Sequence, residues 1–506
     1  MTNKLSADTE AALDLVNRTL TEAETCDHAV SVLNYDLETI CPEKAMAEQS
    51  NVISYLENQS FKLRKNESFV RAAETLFRHR GELSEFDAVL AETLHRNYLK
   101  EKNLSPEKRK QFSDVRNQAF LDWLRAKKTS DFSIFAPSLE KIRDLSLEET
   151  ALREERLPDT YDNLLDDYER GMTAGELDAC FGRCLEVLLP MLEKIKGSRK
   201  KIRTDFLRRR VTDEEQRRMT DYLCSVIGLD MTRSAWALTE HPFTDGLWYD
   251  DARITTHFHP TAFASSMYSV IHEGGHALFE QLQPEENYTH HIRMNKTMGQ
   301  HESVSRFYEN IIGRSEAFIH LIYPETVRIF PEAMEGVSER ELYEAVNAVT
   351  PSLIRTEADE FTYTLHIIIR YEIEKRIIGG TAAIGELPAL WNSLYEKYLG
   401  IRPENDREGV LQDVHWASGF GYFPAYALGN FYNAMYYRRM KEDLSVENAV
   451  RSGNLRKVNS WMAEHVFFSA DREDPKTWIR NITGRSFTAE DFLQYLTEKY
   501  GALYGL

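Results

Sequence analysis

Residues 261–282, TAFASSMYSVIHEGGHALFEQL, decide the fold. Phe263, Met267, Val270, Ile271, Ala277, Leu278 and Leu282 recur at three- and four-residue spacing, the pattern of a helix with a buried face. Pro260 and Pro284 bracket the run and mark its expected ends. Inside it stands His272-Glu273-Gly274-Gly275-His276. Two imidazoles four residues apart lie one turn apart on one helix face, close enough to hold a single metal ion. The Glu between them can take a proton from a water whose pKa a bound Zn²⁺ draws towards about 7. That is machinery for hydrolysing an amide bond. The paired glycines suit a helix interior poorly, each costing about 1 kcal/mol against alanine. They have two explanations: room for a substrate or neighbouring backbone, or tight packing between helices.

Two histidines need a third protein ligand. The metzincin extension is absent, since Phe279 and Leu282 occupy positions where it requires Gly and His. Gln300-His301-Glu302-Ser303 opens a further apolar-striped segment carrying Val304, Phe307, Tyr308, Ile311 and Ile312, and Glu302 is the candidate ligand. Its alternative is an ordinary acid at a helix N-terminus, favourable to the macrodipole. His301, His290 and His291 compete for the same role, the last two reading as a solvated loop. His257 and His259 alternate as in a strand.

With these motifs quoted, the chain resembles the carboxypeptidase Taq family of metallocarboxypeptidases. The resemblance rests on six ordered segments: 241–243 (HPF), 251–255 (DARIT), 272–276 (HEGGH), 301–303 (HES), 354–359 (IRTEAD) and 409–416 (GVLQDVHW), with 161–169 and 424–430 as flanking text. Near the N-terminus the pattern departs: Tyr35-Asp36 replaces a Trp-Asp pair, and Pro42-Glu43 replaces Pro-Gly. Position 306, four after Glu302, is Arg where gluzincins often place a carboxylate behind a ligand histidine, so that partner must come from elsewhere.

The resemblance implies release of single residues from peptide C-termini with broad side-chain tolerance. By it, His272, His276 and Glu302 bind Zn, with Co as the alternative ion, and Glu273 is the general base. A free terminal carboxylate calls for a fixed cation, and the planar fork of arginine suits it. Arg355 is the leading candidate and Arg253 the second; the alternative for each is pairing with a nearby acid, Asp359 or Asp251. His415 and Tyr426 are candidate donors to the oxyanion, though His415 also reads as a core histidine beside Trp416. His241 is expected to line the groove. The resemblance further implies a homodimer.

Composition gives a mainly α fold. The 506 residues contain only 15 Pro and 24 Gly and no Ser/Gly-rich linker, repeat or low-complexity tract. Amphipathic stretches run over 13–23, 85–102, 175–196 and 367–378, and 252–257 is the one extended stretch, a small β element beside the metal helix. The expected architecture is a single large gluzincin-like helical domain spanning 1–506, with two lobes flanking a substrate groove as its variant. The net charge of −19 argues against nucleic acid, which requires a basic stripe. Five cysteines and no apolar secretory run after Met1 suggest the cytoplasm. Residues 414–437 carry no Asp, Glu, Lys or Arg, yet Pro424, three glycines and two asparagines make a poor membrane span and a better groove wall. Two rival functions share these features, an oligoendopeptidase on a similar scaffold and a non-catalytic peptide-binding protein; an intact Glu273 argues against the second.

Overall fold

The structure, a computed structural model, describes residues 5–506. Helices dominate it, and the four amphipathic stretches lie in helices Ala7–Thr39, Glu85–Glu101, Ala174–Lys196 and Glu360–Ile378. Their starts are capped from the sequence: Ser84 accepts from the Asp87 N–H, Thr173 and Glu176 form a capping box, and Asp359 accepts from the Thr362 N–H. A single three-stranded sheet is present among the described residues, ordered β1 (Ser234–Leu238), β3 (Asp251–Thr256), β2 (Thr244–Trp248). The central strand, parallel to β1 and antiparallel to β2, is the extended stretch read from the sequence. It buries Ala252, Ile254, Thr255 and Thr256.

The HEGGH helix runs Phe263–Leu282, starting two residues later than the pattern suggests. It is buried on most of its surface, because β3, the helix Asp213–Ile227 and the helix Met298–Arg306 all pack against it. Those contacts settle the glycine pair in favour of packing. A Cβ on Gly274 would stand 2.3 Å from Ile227 Cδ1, and one on Gly275 would stand 2.9 Å from Ser305 Cα. Gly275 therefore lets the helix carrying Glu302 lie directly on the HEGGH helix.

A third helix, Pro424–Asp443, closes on Glu302 from the other side. A Cβ on its Gly429 would stand 3.0 Å from the backbone carbon of Glu302. Tyr436 Oη donates to Ser303 O at 2.7 Å. The uncharged stretch 414–437 is thus an internal wall, and no described helix is long and apolar enough to cross a membrane. At the start of the Glu302 helix, buried Glu169 accepts from the Gly299 N–H, the Thr297 hydroxyl and the Tyr432 hydroxyl. After Arg306 the chain winds into a π-helix, Phe307–Ile312, in place of a continued α-helix.

One large apolar core spans elements from Ala119 to Tyr504. A smaller one lies among the N-terminal helices around Val16, Leu20, Phe69, Leu76 and Leu90, and Ile292 from the larger body is inserted into it.

Candidate metal centre

His272 and His276 project from one face of their helix with ring centroids 5.0 Å apart. Their Nε2 atoms converge on Glu302 Oε2, at 3.7 Å and 3.6 Å. Among the described residues this trio alone brings three metal-ligating side chains together, with ligand atoms within 4.8 Å of one another. Two imidazole nitrogens and one carboxylate oxygen suit a divalent transition metal. The electrostatics ask for a cation at the same point. Burial disfavours a proton on His272, yet Glu302 and Glu309 outweigh it and raise His272 to about 9. Burial would raise Glu302, but His272, His276 and Arg306 hold it down at about 2.

Glu273 is nearly buried, and the Thr244 hydroxyl, 2.6 Å from its Oε2, donates to it. Thr244 opens β2 directly after the His241-Pro242-Phe243 segment. That segment touches the site through its neighbour; His241 itself is exposed.

Each ligand histidine is held from behind. His272 Nδ1 donates to Glu309 Oε2 at 2.9 Å. Glu309 is fixed by Arg306 Nη1 at 2.8 Å and Arg314 Nη2 at 3.3 Å, and despite burial these cations hold it well below the usual carboxylate range. The carboxylate missing four residues after Glu302 therefore stands seven residues after it, and the Arg at the fourth position braces it. His276 Nδ1 lies 2.5 Å from Nδ1 of His301, whose Nε2 is 3.0 Å from Glu280 Oε1. His301 thus supports a ligand and does not compete with Glu302. His290 and His291 pair with Asp87 and Glu24, and His257 Nδ1 with Thr239 O, all away from the trio.

Arg355, His415 and Tyr426 cluster together. Arg355 Nε donates to Asp413 Oδ2 at 2.9 Å and Nη1 to Tyr363 Oη at 3.1 Å, while its guanidinium stacks on Tyr426 and Phe423. Its acid partner is Asp413; Asp359 instead caps a helix. Of five N–H donors two are so engaged, and the Nη1–Nη2 end keeps the rest. His415 Nδ1 bonds Asp413 Oδ1, and its Nε2 lies 3.2 Å from the Tyr426 hydroxyl. Tyr363 joins this cluster to the metal ligands, because Arg306 lies 3.7 Å over its ring and 3.4 Å from Glu302 Oε1. Arg253 stands apart, in a two-bond pair with Asp251 at 2.9 Å and 2.7 Å and over the Tyr35 ring.

Glu309, Glu280, Thr244, Tyr363 and Asp413 were not singled out by the sequence reading. Asp413 and Thr244 lie within or beside quoted motifs. Glu280, four residues after His276, shares its helix face.

The model of the carboxypeptidase Taq (M32) metallopeptidase family matches residues 16–500. Carboxypeptidase 1 of Bacillus subtilis is 34% identical over 479 residues, covering 94% of this chain and 95% of that protein. Thermostable carboxypeptidase 1 of Thermus thermophilus is 36% identical over 78% of this chain and 79% of its own length. The crystal structure of an M32 carboxypeptidase from Deinococcus radiodurans superposes with a TM-score of 0.94 at 31% identity, covering 99% of this chain and all of that one (100%).

Proposed function

The chain belongs to the carboxypeptidase Taq (M32) metallopeptidase family and is a metallocarboxypeptidase; from that premise we propose that it is a zinc enzyme releasing single C-terminal residues from peptides of varied sequence, with Glu273 as general base. The observation that carries the reading is the convergence of both Nε2 atoms on Glu302 Oε2, with Glu273 between the two histidines on the same helix. Zinc, or cobalt in its place, would be held by His272, His276 and Glu302 and would supply Lewis acidity to a water and to the scissile carbonyl.

The chain's own groups do the rest. Thr244 engages one oxygen of Glu273 and leaves the other to take the proton of the attacking water and pass it to the departing amine. Arg355, stiffened by Asp413 and Tyr363, presents its Nη1–Nη2 end to the terminal carboxylate of the peptide. Tyr426 supplies a donor where charge develops on the carbonyl oxygen, and His415, held by Asp413 with its Nε2 3.2 Å from that hydroxyl, orients it. Arg253 and His241 border the groove without touching these groups. Residues 1–506 act as one catalytic domain, with the N-terminal helices around the smaller core as a lobe beside the groove. A cytoplasmic homodimer completes the reading; neither property enters the chemistry.

Mass spectrometry of a peptide mixture incubated with metal-loaded protein tests it, with C-terminally amidated copies alongside. Ladders losing one residue at a time from free C-termini, and absent from amidated copies, are expected. Internal cuts that ignore amidation would move the activity to an endopeptidase and strip Arg355 of its role. Glu273→Gln is expected to abolish turnover while metal binding persists, and surviving turnover would refute the general-base assignment.

A further inference from the structure

What stands behind His276 is unusual. Its Nδ1 meets another imidazole nitrogen, Nδ1 of His301, at 2.5 Å. Two ring nitrogens in such contact need one donor and one acceptor. A His276 that turns Nε2 to a metal carries its proton on Nδ1 and is the donor. His301 Nδ1 is then the acceptor, and its own proton sits on Nε2, facing Glu280 Oε1 at 3.0 Å. One contact at each step fixes every tautomer in the string.

Glu280 is built to end that string. It follows His276 by four residues on the same helix, so 272, 276 and 280 line one face. It is only 5% exposed, and a buried carboxylate needs partners to stay ionised. Oε2 accepts from Gln283 Nε2 at 2.8 Å and Tyr288 Oη at 3.0 Å, and Lys296 Nζ lies 3.3 Å from Oε1. Gly246 of β2 packs flat against it, since a Cβ there would stand 2.6 Å from Glu280 Cγ. None of these partners is a metal-ligand candidate; among the described residues, the side-chain hydrogen bond from Glu280 toward the ligand histidines runs through His301.

We infer that His301 and Glu280 are positioning residues for His276, selecting Nε2 as its metal-facing nitrogen and raising the basicity of that ring through an imidazole bridge. The inference rests on the metal centre proposed above and deepens it. Removing partners of this kind weakens metal binding by about 10–100-fold.

Two readouts on the full chain test it: the zinc dissociation constant of the apoprotein, by competition with a chromophoric chelator, and the visible spectrum of the Co²⁺-loaded protein. Glu280→Gln and His301→Leu are expected to weaken zinc about tenfold or more and to alter the cobalt bands. His301→Asn, whose Oδ1 can accept from His276 and whose amide can donate onward, is expected to regain most of the loss. A packing role predicts the reverse ranking, because Asn fills the space less well than Leu. An unchanged affinity and spectrum in Glu280→Gln overturns the inference, and so does a His301→Asn as weak as His301→Leu. If His301→Leu does not fold, the other two variants decide. Zinc binding that survives His272→Ala would topple the metal centre itself, whereas binding that needs His272 but ignores Glu280 sinks the bridge alone.

Discussion

His272 and His276 offer the same nitrogen to the same point from one helix, yet the protein behind them differs. Behind His272 lies a dense ionic cluster: Glu309 between Arg306 and Arg314, continuing through the Tyr363 ring to Arg355 and Asp413. Behind His276 lies a thin string of His301 and Glu280, ending at Lys296 and, 3.5 Å from its ammonium, Asp471. The first flank connects the metal ligands to the candidate carboxylate clamp; the second leads into the interior and meets no candidate substrate group. One flank ties a ligand histidine to the candidate clamp Arg355, while the other contacts the ring alone.

The sharpest way to break that contrast is to neutralise each terminal carboxylate. Glu309→Gln leaves Arg314 without the carboxylate it pairs with and leaves buried Arg306 with Glu302 alone, 3.4 Å away, and losing one partner of a buried pair costs about 3–5 kcal/mol. Glu280→Gln is expected to cost less, because Lys296 keeps Asp471 within reach. Urea unfolding of the two apoproteins measures the difference. Equal losses would mean the flanks are energetically alike.

The paired glycines give the next largest effect. Gly275→Ala forces a Cβ against Ser305 Cα and the Val304 carbonyl, backbone that cannot swing aside, and such overpacking costs about 1–3 kcal/mol. Because that backbone carries Glu302, zinc affinity should fall with it. Gly274→Ala meets only the terminal methyl of Ile227, which can rotate away, so it is expected to be milder in both readouts. Chelator competition on the pair decides; a Gly274→Ala that loses more zinc than Gly275→Ala would contradict the assignment of Gly275 as the spacer for Glu302.

Glu273 lies between the flanks and is braced from the sheet, through Thr244. Thr244→Val keeps the shape and removes the donor. A hydrogen bond to a charged group is worth about 1.5–3 kcal/mol, and a tenfold rate change corresponds to about 1.4 kcal/mol. kcat is therefore expected to fall at least about tenfold, with zinc affinity unchanged. A loss of zinc with no loss of kcat in the loaded enzyme would move Thr244 from the base to the metal.

The sequence made some of this legible and not the rest, for a physical reason. His272 and His276 are readable because helical spacing alone brings them to one face, and Glu273 because it stands between them in the motif. The paired glycines signalled close approach, though not by what. Glu302 was reachable as a carboxylate on a following helix. Glu309 is not legible from a spacing of four after Glu302, because the side chain that reaches His272 stands at the seventh position, within a π-helical segment. Thr244 and Tyr363 touch the site across separate elements, and no local periodicity reports such contacts. For the arginines, pairing with an acid is the alternative the sequence offers: Asp251 does hold Arg253, whereas the partner of Arg355 is Asp413, 58 residues away.

The smallest expected effect lies at the far end of the His276 string. Asp471 is completely buried, and burial raises its carboxyl to about 6 despite the nearby Lys296. With the folded value raised above the unfolded one, the native state binds more protons than the unfolded state between about pH 4 and pH 6. Stability from this group is therefore fullest below about pH 4 and is lost as pH rises through about 6. Asp471→Asn removes that dependence. It should cost within about 1 kcal/mol at pH 7, where the ionised carboxylate was poorly accommodated, and leave zinc affinity unchanged. Unfolding free energies of both proteins at several pH values test this. A wild type whose stability relative to the variant stays flat between about pH 4 and 6 and falls only below about pH 4 would show Asp471 ionised and firmly paired, turning the His276 flank into a second ionic cluster and removing the contrast with His272.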